Sequence, residues 1–267
     1  MEYLSYSRLS LLETCGLRFF YEYVLQLEPE DTVPTYHASF GKIVHTLYEQ
    51  HANTSGESEF GDLKSLYDSA FKVMMPEFPD RDTAVSFYRR GVRAIARFSR
   101  YRVADVVSSE REFLLDVGAD TPPVKGFIDR VIYTKEHGYM VADLKTGKVF
   151  AGRNPRKMRQ LVIYSLACEQ IYEEPAQSGY FDFIVYGERE WVDISGEDRE
   201  QTKAWVREKW EQIRREEFSP RYSAGYCSQY CPFRSRCPEY SRRAAKRMAQ
   251  ETGGTMYDRH ASRSPGM

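Results

Sequence analysis

Residues Val124 to Lys148 read VKGFIDRVIYTKEHGYMVADLKTGK. The first arm mixes branched and aromatic residues, TKEHG is a turn, and YMVADLKTG is a second arm that stops at Gly147. This is the pattern of a β-hairpin. Asp129 and Asp143 lie inside its apolar runs. Lys145 is two positions past Asp143, so a two-residue repeat puts both side chains on one face. Two acids and an amine on a half-buried sheet are expensive unless the charges have work, such as holding a divalent cation.

The flanking chain supplies strands and helices in an α/β order. VVSSEREFLLDVG (106–118) reads as a strand ahead of the hairpin, and Glu110 within it is a candidate outer or second-metal group. SGYFDFIVYG and REWVDISG read as an antiparallel pair after it. Helical periodicity marks SYSRLSLLETCGLRFFYEYVLQL (5–27), ASFGKIVHTLYEQHA, residues 63–74 and 82–101, RNPRKMRQLVIYSLACEQIY and TKAWVREKWEQIRREEF. Gly16 separates two short helices with Cys15 at the joint. In GKIVH, Gly41 permits a close approach and His45 faces whatever approaches. Gln160 and Tyr164 are one turn apart on a helix and share a face. Cys168, a further turn along, reads as core.

The formal net charge of -1 excludes a uniformly basic nucleic-acid binder but not local basic patches. Such patches occur at Arg89–Arg102 and Arg153–Arg159, as solvated faces or as a phosphate track. No stretch is long and apolar enough to span a bilayer, and MEYLSYSRLS is not a signal sequence, so a cytoplasmic, non-membrane protein is expected. One domain is expected over 1–240, followed by a 241–267 tail that is basic first and disordered from Glu251. There is no Walker A loop and no base-reading module.

Asp129 and Asp143 offer hard oxygens suited to Mg²⁺ or Mn²⁺. The Leu144 carbonyl, between the acid and the lysine, offers another. His45 is a nitrogen ligand that tilts the preference towards Mn²⁺. Lys145 is placed to orient or help deprotonate a water and to stabilise charge on a phosphate. Gln160 and Tyr164 are placed to orient the lysine or a substrate phosphate.

Taken together, YSRLSLLETCGLRFFYEY, GKIVH, GFIDRV, ADLKTGK and QLVIYSLA resemble the PD-(D/E)xK nucleases of the RecB type and the CRISPR-associated adaptation nucleases, across residues 3 to 240. The resemblance implies a restriction-endonuclease-like mixed sheet flanked by helices. It puts His45, Asp129, Asp143 and Lys145 at the metal-binding and catalytic positions. It puts Gln160 and Tyr164 in the motif that supports the site and contacts DNA.

Cys227, Cys231 and Cys237 crowd into GYCSQYCPFRSRCPEY, and Cys15 is the obvious fourth thiolate. Four thiolates suit [4Fe–4S] or tetrahedral zinc equally well on count. The resemblance implies [4Fe–4S], with one distant amino-terminal cysteine and three clustered ones. It also implies a DNA exonuclease acting on single strands or free ends, in repair, recombination, phage DNA metabolism or CRISPR adaptation. Unwinding would then come from a helicase or another recombination or adaptation partner. The rival expectations are a structure-selective endonuclease and a non-catalytic DNA-binding scaffold.

Overall fold

The computed structural model describes residues 1–54, 56–100, 105–118, 120–150 and 154–257, with 248–257 described by backbone alone. Arg102, Arg153 and positions 258–267 of the expected tail lie outside the described residues. The described chain forms two compact units. One holds Met1–Ser10 and Pro34–Arg215; the other holds Leu11–Val33 and the C-terminal segment from Glu216. The second unit gathers the two segments that carry Cys15, Cys227, Cys231 and Cys237.

The helices and strands follow the sequence closely. The helices are α1 (Tyr6–Thr14), α2 (Gly16–Phe19), α3 (Tyr36–Asn53), α4 (Phe60–Met74), α5 (Arg81–Phe98), α6 (Pro155–Tyr172), α7 (Gly196–Arg214), α8 (Ala224–Tyr230) and α9 (Pro238–Tyr257). The strands are β1 (Val106–Leu115), β2 (Val124–Thr134), β3 (Gly138–Leu144), β4 (Ser178–Phe183) and β5 (Glu188–Asp193). Helix starts are chemically marked. Asp80 accepts from the Thr83 N–H at 2.7 Å, Asn154 precedes Pro155, and Ser195 and Asp198 cap each other. Helix α9 continues to Tyr257, past Glu251, because the SRRAAKRMAQ run carries strong helix formers onward.

Among the described residues five strands form one sheet in the order β1-β2-β3-β4-β5. Every neighbouring pair is antiparallel except β3 and β4, which are parallel and joined through α6. The sheet is therefore mixed and flanked by helices, as expected. One face packs Val131, Val141 and Phe181 against Leu161, Val162 and Tyr164 of α6, with Trp205 of α7. On the other side Phe40, Val44, Leu47, Tyr67 and Ile95 join α3, α4 and α5 to Leu144 and Ile184. Ile132, Met140, Ala142 and Tyr180 form a separate small cluster on the face turned away from α6, alternating with Val131 and Val141 as a pleated strand requires.

The second unit is knitted from both ends of the sequence. The Gly16 Cα carries no side chain, and an added Cβ would lie 3.0 Å from the backbone nitrogen of Ser219. That close approach lets the Leu17 N–H donate to the Ser219 carbonyl at 3.3 Å. Phe20 stacks on Phe218 with ring centroids 5.1 Å apart, and Arg18 donates to the Tyr226 hydroxyl and to the Tyr230 carbonyl. The Glu30 and Asp31 N–H groups both reach the Pro232 carbonyl.

Candidate active site and metal centre

The site grows from the point where β2 and β3 part. Their paired register ends at Arg130 opposite Ala142. Beyond it the Leu144 N–H has no β2 backbone partner and donates instead to Asp129 Oδ2 at 2.7 Å. A buried N–H must find an acceptor, and the carboxylate supplies it. Asp129 is thus fixed at the mouth of the opening strands. Asp129, Asp143 and Lys145 all reach the α6 side, where the Tyr164 hydroxyl lies 3.3 Å from an oxygen of each aspartate and Lys145 donates to Gln160. Ile128 packs on the α6 side, whereas Arg130 reaches Tyr48 of α3. Two residues apart, they should share a face; the alternation breaks at Asp129.

Glu110 of β1 stands at the same break. Ser109 pairs with Arg130 and Arg111 with Ile128, so Glu110 faces Asp129 across the strand pair. Its φ of 47 is left-handed, which costs a non-glycine residue about 1–3 kcal/mol. The distortion accompanies a contact with His45: Glu110 Oε1 lies 3.3 Å from His45 Nδ1. His45 Nε2 lies 3.1 Å from Asp129 Oδ2. One ligand atom from each of His45, Glu110 and Asp129 falls within 4.8 Å of the others. Two carboxylates and an imidazole at that spacing fit a hard or borderline divalent cation. Lys42, Thr46, Glu49, Leu144 and Thr146 line the same open pocket, of about 460 Å³. The expected close approach at Gly41 is to a side chain: an added Cβ would sit 3.1 Å from Thr146 Oγ1.

The other expected residues sit beside this group on the α6 side. Asp143 Oδ2 pairs with Lys145 Nζ at 2.6 Å. Lys145 Nζ also donates to Gln160 Oε1 at 2.9 Å, and the Gln160 amide donates to the Tyr164 hydroxyl at 3.2 Å. That hydroxyl lies 3.3 Å from both Asp129 Oδ1 and Asp143 Oδ1. Its one proton serves one carboxylate at a time, so Tyr164 ties the Asp143–Lys145 pair to the Asp129 centre. Asp143 itself is engaged by Lys145 and Tyr164 rather than grouped with His45. Leu144 contributes its N–H to Asp129.

Electrostatics follow from this packing. Burial pushes Asp143 up to about 6, against the pull of Lys145 and with a further push from Asp129. Burial alone would lower His45, but the Asp129 hydrogen bond and the charges of Asp129, Glu110 and Asp143 outweigh it and raise it. Glu110 is raised by burial and by Asp129, with His45 opposing. Tyr164 is raised well above the usual phenol by burial and both aspartates.

The arginine run of α5 is partly spent on backbone. Arg90 donates to the Thr146 carbonyl at 3.3 Å and lies over Phe40 and Phe87; Arg97 donates to the Val185 carbonyl. These two arginines hold the loops after β3 and β4. On α6, Lys157 lies over the Phe150 ring, and burial and Lys145 lower it.

In the second unit Cys15, Cys227, Cys231 and Cys237 line one pocket. The Arg221 N–H points at Cys15 Sγ at 3.5 Å and the Ser223 N–H at Cys227 Sγ at 3.4 Å. Such donors suit thiolates. Cys168 stays apart, fully buried in the α6 core, where burial pushes its thiol up to about 12.

The sequence model of the PD-(D/E)XK nuclease superfamily matches residues 3–238. This chain belongs to the PD-(D/E)XK nuclease superfamily. Membership implies a nuclease that uses divalent metal and acts on DNA, and the mixed sheet carries that superfamily's fold. No curated protein sequence matches the chain. Among solved structures, the chain is similar to the crystal structure of SSO0001, at 16% identity and a TM-score of 0.37, covering 84% of this chain and 95% of that one. Among the described residues no helix is long and apolar enough to cross a membrane.

Glu110 is the residue that sequence reasoning weighed too lightly for a PD-(D/E)XK site. Most glutamates in such strands face solvent, so its residue type alone did not set it apart. Writing out the β1–β2 register from Leu115 opposite Val124 would have placed it across from Asp129.

Proposed function

We propose that this chain is a metal-dependent DNA exonuclease that prefers single-stranded DNA or free ends. The observation that carries it is the convergence of His45, Glu110 and Asp129 beside an Asp143–Lys145 pair tied to them by Tyr164. His45, Glu110 and Asp129 would hold Mg²⁺ or Mn²⁺, with Asp143 and the Leu144 carbonyl as further oxygen donors. The cation supplies Lewis-acid stabilisation of charge on the scissile phosphate.

The protein's own groups do the rest. Lys145 is held between Asp143 and Gln160, so its Nζ is aimed. It donates to a phosphate oxygen or orients the attacking water, and stabilises the charge that builds in the transition state. Tyr164 fixes both carboxylates through one hydroxyl. Gln160 sets the rotamer of Lys145 and hydrogen-bonds Tyr164, so the two act as a unit.

The four cysteines of the second unit would hold a [4Fe–4S] cluster. Zinc at about 2.3 Å from each sulfur needs the thiolates packed tightly around one ion. Among the described residues only His45, Glu110 and Asp129 bring three ligand atoms within 4.8 Å, so no three of the sulfurs are that close. The wider spacing supports the larger cluster. Its role is a crosslink between Leu11–Val33 and the C-terminal segment, which lowers the entropy of the unfolded chain. A brown colour with stoichiometric iron and sulfide supports this; zinc without sulfide refutes it.

The setting is cytoplasmic DNA repair, recombination, phage DNA metabolism or CRISPR adaptation, with unwinding supplied by a partner. The test is end-labelled single- and double-stranded DNA with Mg²⁺ or Mn²⁺, beside Lys145→Ala. Cutting by the parent and almost none by the variant is expected. Equal activity in both refutes the reading. Closed circular DNA separates an exonuclease, which leaves it intact, from a structure-selective endonuclease. Binding without cutting in the parent identifies a scaffold.

A further inference from the structure

A second pocket lies on the sheet face turned away from α6. It measures about 680 Å³, within the range of roughly 300–1,000 Å³ typical of small-ligand sites. Tyr180 and Trp191 form one wall, with ring centroids 4.7 Å apart, and Trp191 is 58% exposed. Arg97, Arg130 and Arg189 line the pocket too. Arg189 lies over the Tyr180 ring and donates to Asp182 Oδ2 at 3.3 Å. Asp182 also accepts from the Tyr48 hydroxyl at 3.2 Å, and Tyr48 accepts from Arg130 at 3.1 Å.

Two features of this wall are costly as they stand. Arg130 is only 3% exposed, and among the described residues its Nε finds no acceptor. A buried donor without an acceptor carries a desolvation penalty, and an anion held in the pocket beside this guanidinium offsets the cost of its buried charge. Trp191 offers a large flat face to water on an edge strand. Stacking a planar ring on it relieves that exposure.

The geometry points to a nucleotide-binding site here, distinct from the Asp129 pocket: the base stacks on Trp191 and the phosphate meets the arginines. Exposed aromatic rings accept any base, and guanidinium forks pair with phosphate oxygens. Choosing a nucleotide over another aromatic anion rests on the chain's membership of a nuclease superfamily. The same chemistry is offered by a free mononucleotide and by one unit of a DNA strand. The pocket also touches the cutting site through the backbone. The Lys145 N–H donates to the Asp182 carbonyl at 2.8 Å, and Arg130 directly follows Asp129.

The test is calorimetric titration of the full chain in EDTA, where no DNA is cut. The probes are a deoxynucleoside monophosphate, the matching nucleoside, inorganic phosphate and a short single-stranded oligonucleotide. Saturable nucleotide binding is expected, with quenching of tryptophan fluorescence. Trp191→Ala weakens it by about tenfold or more, Trp191→Phe largely restores it, and Lys145→Ala leaves it unchanged. Circular dichroism checks that each variant is folded. Binding of the oligonucleotide about tenfold tighter than the mononucleotide assigns the site to a strand; equal binding assigns it to free nucleotide. The proposal is overturned by no saturation up to about 10 mM, by phosphate alone binding as well as the nucleotide, or by binding that survives Trp191→Ala. Loss in Lys145→Ala but not in Trp191→Ala also overturns it, by moving the ligand to the cutting site. The DNA-cutting assay is independent of all these outcomes.

Discussion

Replacing Asp143 by asparagine should stabilise the protein while abolishing its activity. The Asp143 carboxyl is buried and pushed up to about 6, against about 3.9 in an unfolded chain. Below both values the two states are equally protonated and the shift costs nothing. As pH rises from about 4 to 6 the unfolded chain loses its proton first, so stability falls by roughly 3 kcal/mol in total. A side-chain amide does not ionise, so Asp143→Asn removes that penalty. The variant leaves Lys145 without its partner, but that side chain is 32% exposed and keeps Gln160, so the loss is under about 1 kcal/mol. The net expectation is a gain of about 2 kcal/mol at pH 7.5 that shrinks to about zero near pH 4.5. Denaturant unfolding of both proteins in EDTA at the two pH values measures it, with DNA cutting assayed alongside. A variant less stable than the parent at pH 7.5, or a gain of the same size at both pH values, refutes the ionisation argument.

Three further outcomes are expected. Glu110→Gln should weaken Mn²⁺ binding by about ten- to a hundredfold, seen by calorimetry, while the fold and the Asp143–Lys145 pair persist. The affinity for Mn²⁺ should rise with pH through the raised titration of His45, because the cation must displace the proton held there between Asp129 and Glu110; a flat profile between pH 6 and 8.5 contradicts this. Tyr164→Phe should lower kcat by about tenfold with less effect on KM, since the hydroxyl orients both carboxylates. An unchanged kcat contradicts that role.

The hairpin was legible because its arms are rich in branched and aromatic residues and TKEHG marks the turn between them. His45, Asp129, Asp143, Lys145, Gln160 and Tyr164 were singled out together through the motifs that carry the family resemblance, and their side chains lie linked in the structure. What the period cannot show is where it fails. The β2–β3 ladder opens at Asp129, whose carboxylate takes the Leu144 N–H, and Glu110 turns inward through a left-handed φ. Both depend on strand pairing between distant segments, which no local window contains. The arginines of α5 looked alike in sequence, yet Arg90 and Arg97 each spend one guanidinium N–H on a carbonyl of the loop they cover. The separate unit around the four cysteines is likewise a product of contacts between the two ends of the chain.

The most direct probe of the cation site is pulsed electron paramagnetic resonance of the protein loaded with one equivalent of Mn²⁺. Nitrogen coupling from an imidazole is expected in the parent and absent in His45→Gln, with the bound manganese weakened but not abolished by the change. Stoichiometric Mn²⁺ with no nitrogen coupling in the parent, or coupling that persists in His45→Gln, would place the ion somewhere other than between His45, Glu110 and Asp129.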